Sequence, residues 1–333
     1  MKSNRLALLL FIPGTLWGLS FLATEFALET IPPITLGLTR SVLAGVPLII
    51  TLYLMGGRLP ASWSEWKPFI ILGLFNNSIP LVLVSWGQLT ISSGLTTILV
   101  SLNPLFTLLL AHFFIDDEHL NRAKLSGISL GLLGVIVLVG PTVLAGLGQA
   151  LWAQLAIISG AFSYAIAAIY ARRHLRQQTG PVWQAIVKLM SSQYITSAVT
   201  LLPLSLWVDQ SLALRPSLPS IAGILALSWP FTLVPVTLYY YLIDQAGPSY
   251  TALTVYLIPL VGIFAGIIFL DEQITGQAVA ALLLILAGIA VVNDLKGTWQ
   301  RLRRKRVVDA VSRIKPVESS GQLFICYNKQ KDL

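Results

Sequence analysis

The two longest stretches without a charged side chain constrain this chain more than any other feature. Residues 68–115 contain no Asp, Glu, Lys or Arg over 48 positions, and residues 125–171 contain none over 47. A helix needs about 20 apolar residues to cross a bilayer core of about 30 Å. Each stretch is too long for one span and fits two spans joined by a tight turn.

The composition extends this conclusion to most of the chain. Hydrophobic residues make up 55% of the 333 positions and charged residues 11%, whereas a soluble domain carries about 25% charged residues. Such a chain cannot cover a water-facing surface, which excludes a soluble domain. A single cysteine, Cys326, also excludes a disulfide-rich secreted scaffold.

The same reasoning along the whole sequence predicts an all-α integral membrane protein with ten transmembrane helices. The predicted spans cover residues 6–26, 33–54, 67–88, 92–115, 124–143, 150–171, 183–207, 219–243, 249–270 and 275–293.

The distribution of basic residues predicts the orientation, because cytoplasmic loops carry an excess of Lys and Arg. With the N-terminus inside, nineteen of the 22 basic residues fall in inside loops or the C-terminal tail, and one, Arg215, falls outside. We therefore expect a multi-pass protein of the plasma (inner) membrane with both termini in the cytoplasm. Residues 296–333 hold ten basic and three acidic residues, which predicts a basic cytoplasmic tail, largely disordered, rather than a nucleic-acid-binding protein.

An internal repeat divides the membrane region. The segment 101–120 aligns with 256–274, so that Pro104 falls on Pro259 and, with one inserted residue, Glu118 falls on Glu272.

The repeat predicts two five-helix halves, residues 1–145 and 146–295. Because five is odd, the second half enters the membrane from the opposite side, as an inverted-topology repeat. Secondary transporters use this architecture to open a site near the bilayer midplane to either side in turn.

The ordered, duplicated motifs resemble the drug/metabolite transporter superfamily, EamA type, over residues 6–293. The motifs that carry the resemblance are Leu16-Trp17-Gly18, Arg40, the spacings Pro104 to Glu118 and Pro259 to Glu272, and the glycines Gly134 and Gly288. The resemblance implies ten-helix exporters and importers of small metabolites, including amino acids, with a cavity between the halves. Ser163-Tyr164 stands where Trp-Gly stands in the first half.

Two cationic residues, Arg40 and Lys188, lie inside predicted spans, where ionisable side chains are rare and indicate function. When Pro33 is aligned with Pro181, Arg40 and Lys188 occupy equivalent positions in the repeat. One interpretation is that they attract an anionic group, such as a carboxylate, in alternating states. The alternative is that each reaches its interface or pairs with a neighbouring acid, such as Glu25 for Arg40.

Aromatic and amide residues within the spans are candidates for a substrate pocket, and their alternative role is to anchor or join helices. With the two cations, they complete the predicted substrate-binding set: Trp17, Asn76, Asn77, Trp86, Asn103, Tyr164, Trp229, Tyr239 and Tyr256. Pro104 and Pro259 are predicted to kink the helices that line it.

Coupling to a proton requires a titrating group, for which Glu25, His112 and Asp244 are candidates; a facilitator driven by the substrate gradient is the alternative. Five further acidic residues fit better at interfaces, as clamps between helices: Asp116, Asp117, Glu118, Asp271 and Glu272.

The chain has no phosphate-binding loop, metalloprotease or nucleophile-elbow motif. We therefore expect no enzyme activity, no catalytic residue, no cofactor and no bound metal. The expected partners are a small-molecule substrate, membrane lipid and a proton as coupling ion, in a monomer or homodimer.

These features predict a secondary transporter of a small organic metabolite, an amino acid, related metabolite or drug-like compound, with export favoured over import. The alternatives are a polytopic membrane enzyme acting on lipid and a non-transporting membrane scaffold.

Overall fold

The computed structural model describes residues 2–115, 122–144, 148–174, 182–246 and 254–292, so the predicted cytoplasmic tail lies outside the described residues. The described parts are helical and contain no strand. The α-helices are α1 (Lys2–Leu28), α2 (Pro33–Leu54), α3 (Trp63–Gly73), α4 (Ile79–Gln88), α5 (Ser93–Val100), α6 (Asn103–Phe114), α7 (Arg122–Leu144), α8 (Gln149–His174), α9 (Val182–Trp207), α10 (Leu218–Ser228), α11 (Val234–Ala246), α12 (Thr254–Leu270) and α13 (Gly276–Val292).

Seven helical segments of the described chain are long and apolar enough to cross a membrane. Three shorter apolar helical segments coincide with the fifth, ninth and tenth predicted spans: Leu125–Leu138, Leu257–Leu270 and Gly276–Val291. The all-helical architecture and the membrane location follow from these segments.

The polarity of the fold is opposite to that of a water-soluble protein. Large apolar side chains lie on the outside, among them Leu54 at 83% and Ile268 at 67% exposure. Serine and threonine side chains lie inside and hydrogen-bond to helix carbonyls or to each other, as Ser41 does with Gly37 O at 2.7 Å. This arrangement fits a lipid surround, where apolar groups have no reason to be buried and polar groups must find internal partners.

Two predicted spans contain one turn of π-helix each, Leu74–Ser78 and Trp229–Leu233. A proline follows each turn by two residues, Pro80 and Pro235. Because proline lacks an N–H and crowds the carbonyl four residues earlier, it disfavours a regular α-helix there, and a wider turn accommodates it. The third and eighth spans are therefore bent at matching places.

The fourth predicted span is two helices rather than one. A turn at residues 101–102 separates α5 from α6. Pro104 lies in the first turn of α6, where backbone N–H groups make no hydrogen bond within the helix, so a proline costs no helical hydrogen bond there. Pro259 lies inside the continuous helix α12.

Glycines allow several helix pairs to approach closely. A Cβ atom at Gly14 would lie 2.6 Å from Leu257 Cβ, and one at Gly18 would lie 2.7 Å from Val261 Cβ, so α1 packs tightly on α12. Gly262 in turn faces Thr97 of α5. These contacts lie within one chain, as small-residue faces of membrane helices often do.

Helices α2 and α9 form one of the most extensive contacts and are joined along their length. Ser41 donates to Ser197 at 2.9 Å near the middle. At one end the Asp209 carboxylate accepts from Thr35 N at 2.7 Å and from Thr35 Oγ1 at 2.8 Å. The carboxylate thereby binds the first turn of α2, where free N–H groups and the helix dipole favour an anion.

The first helix of each predicted half packs on helices of the other half. Helix α1 contacts α10, α11 and α12, whereas α8 contacts α4, α5 and α6. The pairs α2–α9 and α7–α13 also join one half to the other. The interior of the bundle is therefore shared between the two halves.

Candidate functional site

Arg40 lies on α2, and its side chain is partly buried. Its Nε and Nη2 atoms donate to Thr232 Oγ1 at 3.2 and 2.9 Å. The Thr232 hydroxyl donates its own proton to Leu227 O at 2.6 Å, five residues back in the π-helical turn. The π-helical turn therefore orients an oxygen that holds the guanidinium in place.

Two tyrosines lie close enough to Arg40 to interact with it electrostatically: Tyr164 on α8 and Tyr194 on α9. Tyr194 is buried and Tyr164 is partly buried. Since α8 and α9 belong to the second predicted half and α2 to the first, this cluster of Arg40, Thr232, Tyr164 and Tyr194 lies between the halves. We call it the Arg40 cluster.

An aromatic pair joins α1 to α11. The ring centroids of Trp17 and Tyr239 lie 5.3 Å apart with their planes tilted by 56°, a geometry that aromatic rings favour. Both side chains are partly buried, and they join a helix of each predicted half.

The predicted amide residues are engaged with the protein. Asn76 and Asn77 both donate to Gln193 Oε1, at 2.9 and 3.4 Å, which ties the first π-helical turn to α9. Asn103 donates to Ala161 O at 3.1 Å. These contacts join helices, and the predicted role of the three amides in substrate binding stays a prediction.

Two predicted tryptophans lie at the surface of the described chain. Trp86 and Trp229 are each 47% exposed, and the Trp229 indole donates to Leu43 O at 3.1 Å. Their role in substrate binding stays a prediction.

Lys188 does not join the Arg40 cluster. Its Nζ lies 3.7 Å from Glu65 Oε2, and both side chains are substantially exposed. The two matched positions thus hold cations in different environments, one paired with a carboxylate near the surface and one held inside by a hydroxyl.

The remaining candidates occupy separate places. Glu25 on α1 accepts a long hydrogen bond from Gln88 Nε2 at 3.4 Å, and the His112 ring lies 5.0 Å from that of Phe113 near the end of α6. The side chains of Asp244 and Tyr256 lie outside the described residues.

The sequence analysis did not select Thr232, Tyr194 or Gln193. All three are polar residues within long apolar segments, a signal that marks internal hydrogen-bonding positions but does not reveal which face of the helix they occupy. For Thr232 the nearby Pro235 is a further signal, because it predicts the irregular turn.

The comparisons with known proteins decide the family. The model of the EamA-like transporter family matches residues 4–140 and 151–294, most of the chain. The chain belongs to this family. Its relatives include an uncharacterized transporter of Archaeoglobus fulgidus, 28% identical over 287 residues that cover 86% of this chain and 97% of the relative.

A second relative, named "Probable amino-acid metabolite efflux pump", comes from Salmonella typhimurium and is 25% identical over 305 residues, 87% of this chain and 94% of the relative. A solved crystal structure superposes with a TM-score of 0.60 at 21% identity, covering 86% of this chain and 96% of that one, which shows the likeness of fold. With its apolar helices, this member of the EamA-like family is a multi-pass membrane transporter.

Proposed function

We propose that this EamA-like protein is a secondary transporter that moves a small organic metabolite carrying a carboxylate across the plasma membrane by alternating access, with export favoured over import. Amino acids and related metabolites are the substrates that fit best. The Salmonella relative named as an amino-acid metabolite efflux pump supports this substrate class and direction.

The observation that carries the proposal is the free hydrogen-bonding capacity of Arg40. A guanidinium has five N–H groups, and Thr232 accepts two of them. No described carboxylate pairs with Arg40, whose side chain is partly buried, and withdrawal of a cation from water is costly without an anion. A carboxylate bound by two parallel N–H groups would supply that charge.

The two halves, residues 1–145 and 146–295, would act as inverted repeats. Three observations support this arrangement. The first helix of each half, α1 or α8, packs on helices of the other half. The π-helical turns lie in corresponding spans, and the contacts α2–α9 and α7–α13 each join one helix of the first half to its counterpart in the second. Rocking of one half against the other would expose the Arg40 cluster to each side in turn.

We place both termini in the cytoplasm on the basis of the basic inside loops. We assign proton coupling to Glu25, because its carboxylate is partly buried within the bundle and accepts a hydrogen bond from Gln88. Conversion of Glu25 to Gln should abolish the dependence of transport on a pH gradient.

The test is transport by the purified protein in proteoliposomes, with a panel of amino acids and the corresponding amino-acid amides, which lack the carboxylate. We expect the wild type to prefer the acids and Arg40→Ala to lose that preference, with a loss of about tenfold or more for the acid because hydrogen bonds to charged groups are removed. Lys188→Ala is the matched control and should keep the preference.

The outcomes separate the alternatives. If Arg40→Ala still prefers the acids over the amides as the wild type does, Arg40 does not bind the carboxylate, whereas the proposal of transport is unaffected. If no compound moves and the protein instead converts lipid substrates, the membrane enzyme is the better description. If neither activity is found, the protein is a scaffold.

A further inference from the structure

One carboxylate joins the end of α12 to the beginning of α5. Glu272 Oε1 accepts from Ser93 N at 2.8 Å and from Ser93 Oγ at 2.7 Å, and Oε2 accepts from Gly94 N at 3.0 Å. The first N–H groups of a helix lack helical partners and carry the positive end of its dipole. The anion of Glu272 therefore binds this turn with three charge-assisted hydrogen bonds.

The surroundings are shaped around this carboxylate. A Cβ atom at Gly94 would lie 2.9 Å from Glu272 Oε2, and a Cβ atom at Gly266 would overlap the same carboxyl group. Asp271 adopts a left-handed backbone with a φ of 51°, and Glu272 N donates to Gly266 O at 3.1 Å. The chain thus folds back at the end of α12 and directs Glu272 at α5.

The helix that Glu272 holds is a short segment with a break at each end. Helix α5 has eight residues, a turn at residues 89–92 precedes it, and the turn at 101–102 separates it from α6. Its own N-cap, Ser92, already accepts from Leu95 N at 3.4 Å. The helix therefore keeps a cap of its own if Glu272 leaves, and the turn at 101–102 is a place where it can pivot.

A second anion lies near this contact. The Glu25 carboxylate of α1 is close enough to act electrostatically on Glu272. The Glu272 contact with α5 therefore forms near a second carboxyl group, on the first helix of the bundle.

We propose that Glu272 is a latch that closes the passage between α5 and α12 at this end of the bundle, and that its release lets α5 swing about residues 101–102. This inference rests on the proposed function, since alternating access is the motion that the latch would control. Thr97, which is fully buried against Gly262 of α12, becomes accessible when the two helices separate.

The experiment measures that accessibility without any substrate. Cys326→Ser removes the single native cysteine, Thr97→Cys places a near-isosteric probe between the helices, and a membrane-impermeant thiol reagent is applied to vesicles of each orientation. A second cysteine-free variant carries Gly276→Cys, at a position with open space. The side of the membrane from which this cysteine is labelled is the side on which the latch lies.

We expect Glu272→Gln to raise the labelling rate at the probe by about tenfold from the side that labels position 276, because an amide nitrogen faces the N–H donors in place of an oxygen. The neighbouring Asp271→Asn, which also removes a charge, is the matched control and should leave the rate unchanged within about twofold. If Glu272→Gln does not fold, Ser93→Ala, which removes one of three donors, should give a smaller rise on the same side.

Equal rates in the glutamine variant and its control would overturn the latch, as would equal increases from both sides, which indicate general loosening. Because no transported compound is needed, a negative result here is distinct from failure of the proposed function, which the proteoliposome assay reports.

Discussion

Replacement of Gly288 by alanine tests a helix contact in which backbone packs directly on backbone. A Cβ atom at this position would lie 2.5 Å from Gly127 O, 2.9 Å from Gly131 N and 3.4 Å from Gly131 Cα. All three are backbone atoms of α7, so no side-chain rotation relieves the overlap. Helices α7 and α13 would have to separate by about 0.9 Å, the difference between 2.5 Å and an ordinary contact of 3.4 Å.

The change in the free energy of unfolding caused by Gly288→Ala follows from two opposing effects. Overpacking of a close-packed interior costs about 1–3 kcal/mol, and a contact with rigid backbone belongs at the upper end. Alanine regains up to about 1 kcal/mol of helix propensity relative to glycine. The net loss is about 2 kcal/mol, which lowers the unfolding midpoint by about 4–8 °C at the scaling of domains of 150–250 residues.

The assay is thermal unfolding of the purified protein in detergent, with Gly276→Ala as the matched control because nothing lies within 4 Å of that position. Gly131→Ala should cost less than Gly288→Ala, since its new methyl group meets the flexible end of the Leu105 side chain. A Gly288→Ala midpoint within 1–2 °C of the control, on that same scaling, would refute the close approach of α7 and α13.

Three further variants test the site and its framework. Thr232→Val should raise the KM for a carboxylate substrate by about tenfold, because Arg40 loses the oxygen that positions it; unchanged KM would separate Thr232 from substrate binding. Lys188→Ala should change the free energy of unfolding by less than about 1 kcal/mol, as exposed ion pairs do, and chemical denaturation in mixed micelles measures this. Asp209→Ala should cost about 2–4 kcal/mol in the same assay, because two charge-assisted bonds to α2 are lost; a loss no larger than that of the exposed Glu29→Ala would contradict the clamp.

The structure distinguishes two residues that the sequence treats as equivalent. Arg40 and Lys188 align in the repeat, yet one lies among Tyr164, Tyr194 and Thr232 and the other pairs with a surface carboxylate. The two aligned positions therefore differ in environment, and the proposed anion site needs only the Arg40 cation.

Much of the fold was predictable because lipid imposes a strong pattern on sequence. A span must be apolar over about 20 residues, so residues 68–115 and 125–171 indicated pairs of helices without any tertiary information. The repeat indicated by Pro104 and Pro259 and the orientation indicated by the basic loops stay predictions. Glu272 was one of five acidic residues expected to act as clamps between helices, and in the structure it binds the first turn of α5.

The partners of each polar side chain were decided only by tertiary structure. Periodicity in lipid-embedded helices is weak, since the outward face is apolar and the inward face contains both small and polar residues. The sequence alone therefore determined the class of protein, the number of candidate helices and the residues worth mutating. That Arg40 rests on Thr232, that Asn76 binds Gln193 and that Glu272 reaches Ser93 depends on contacts between residues more than 100 positions apart, which only the packed bundle brings together.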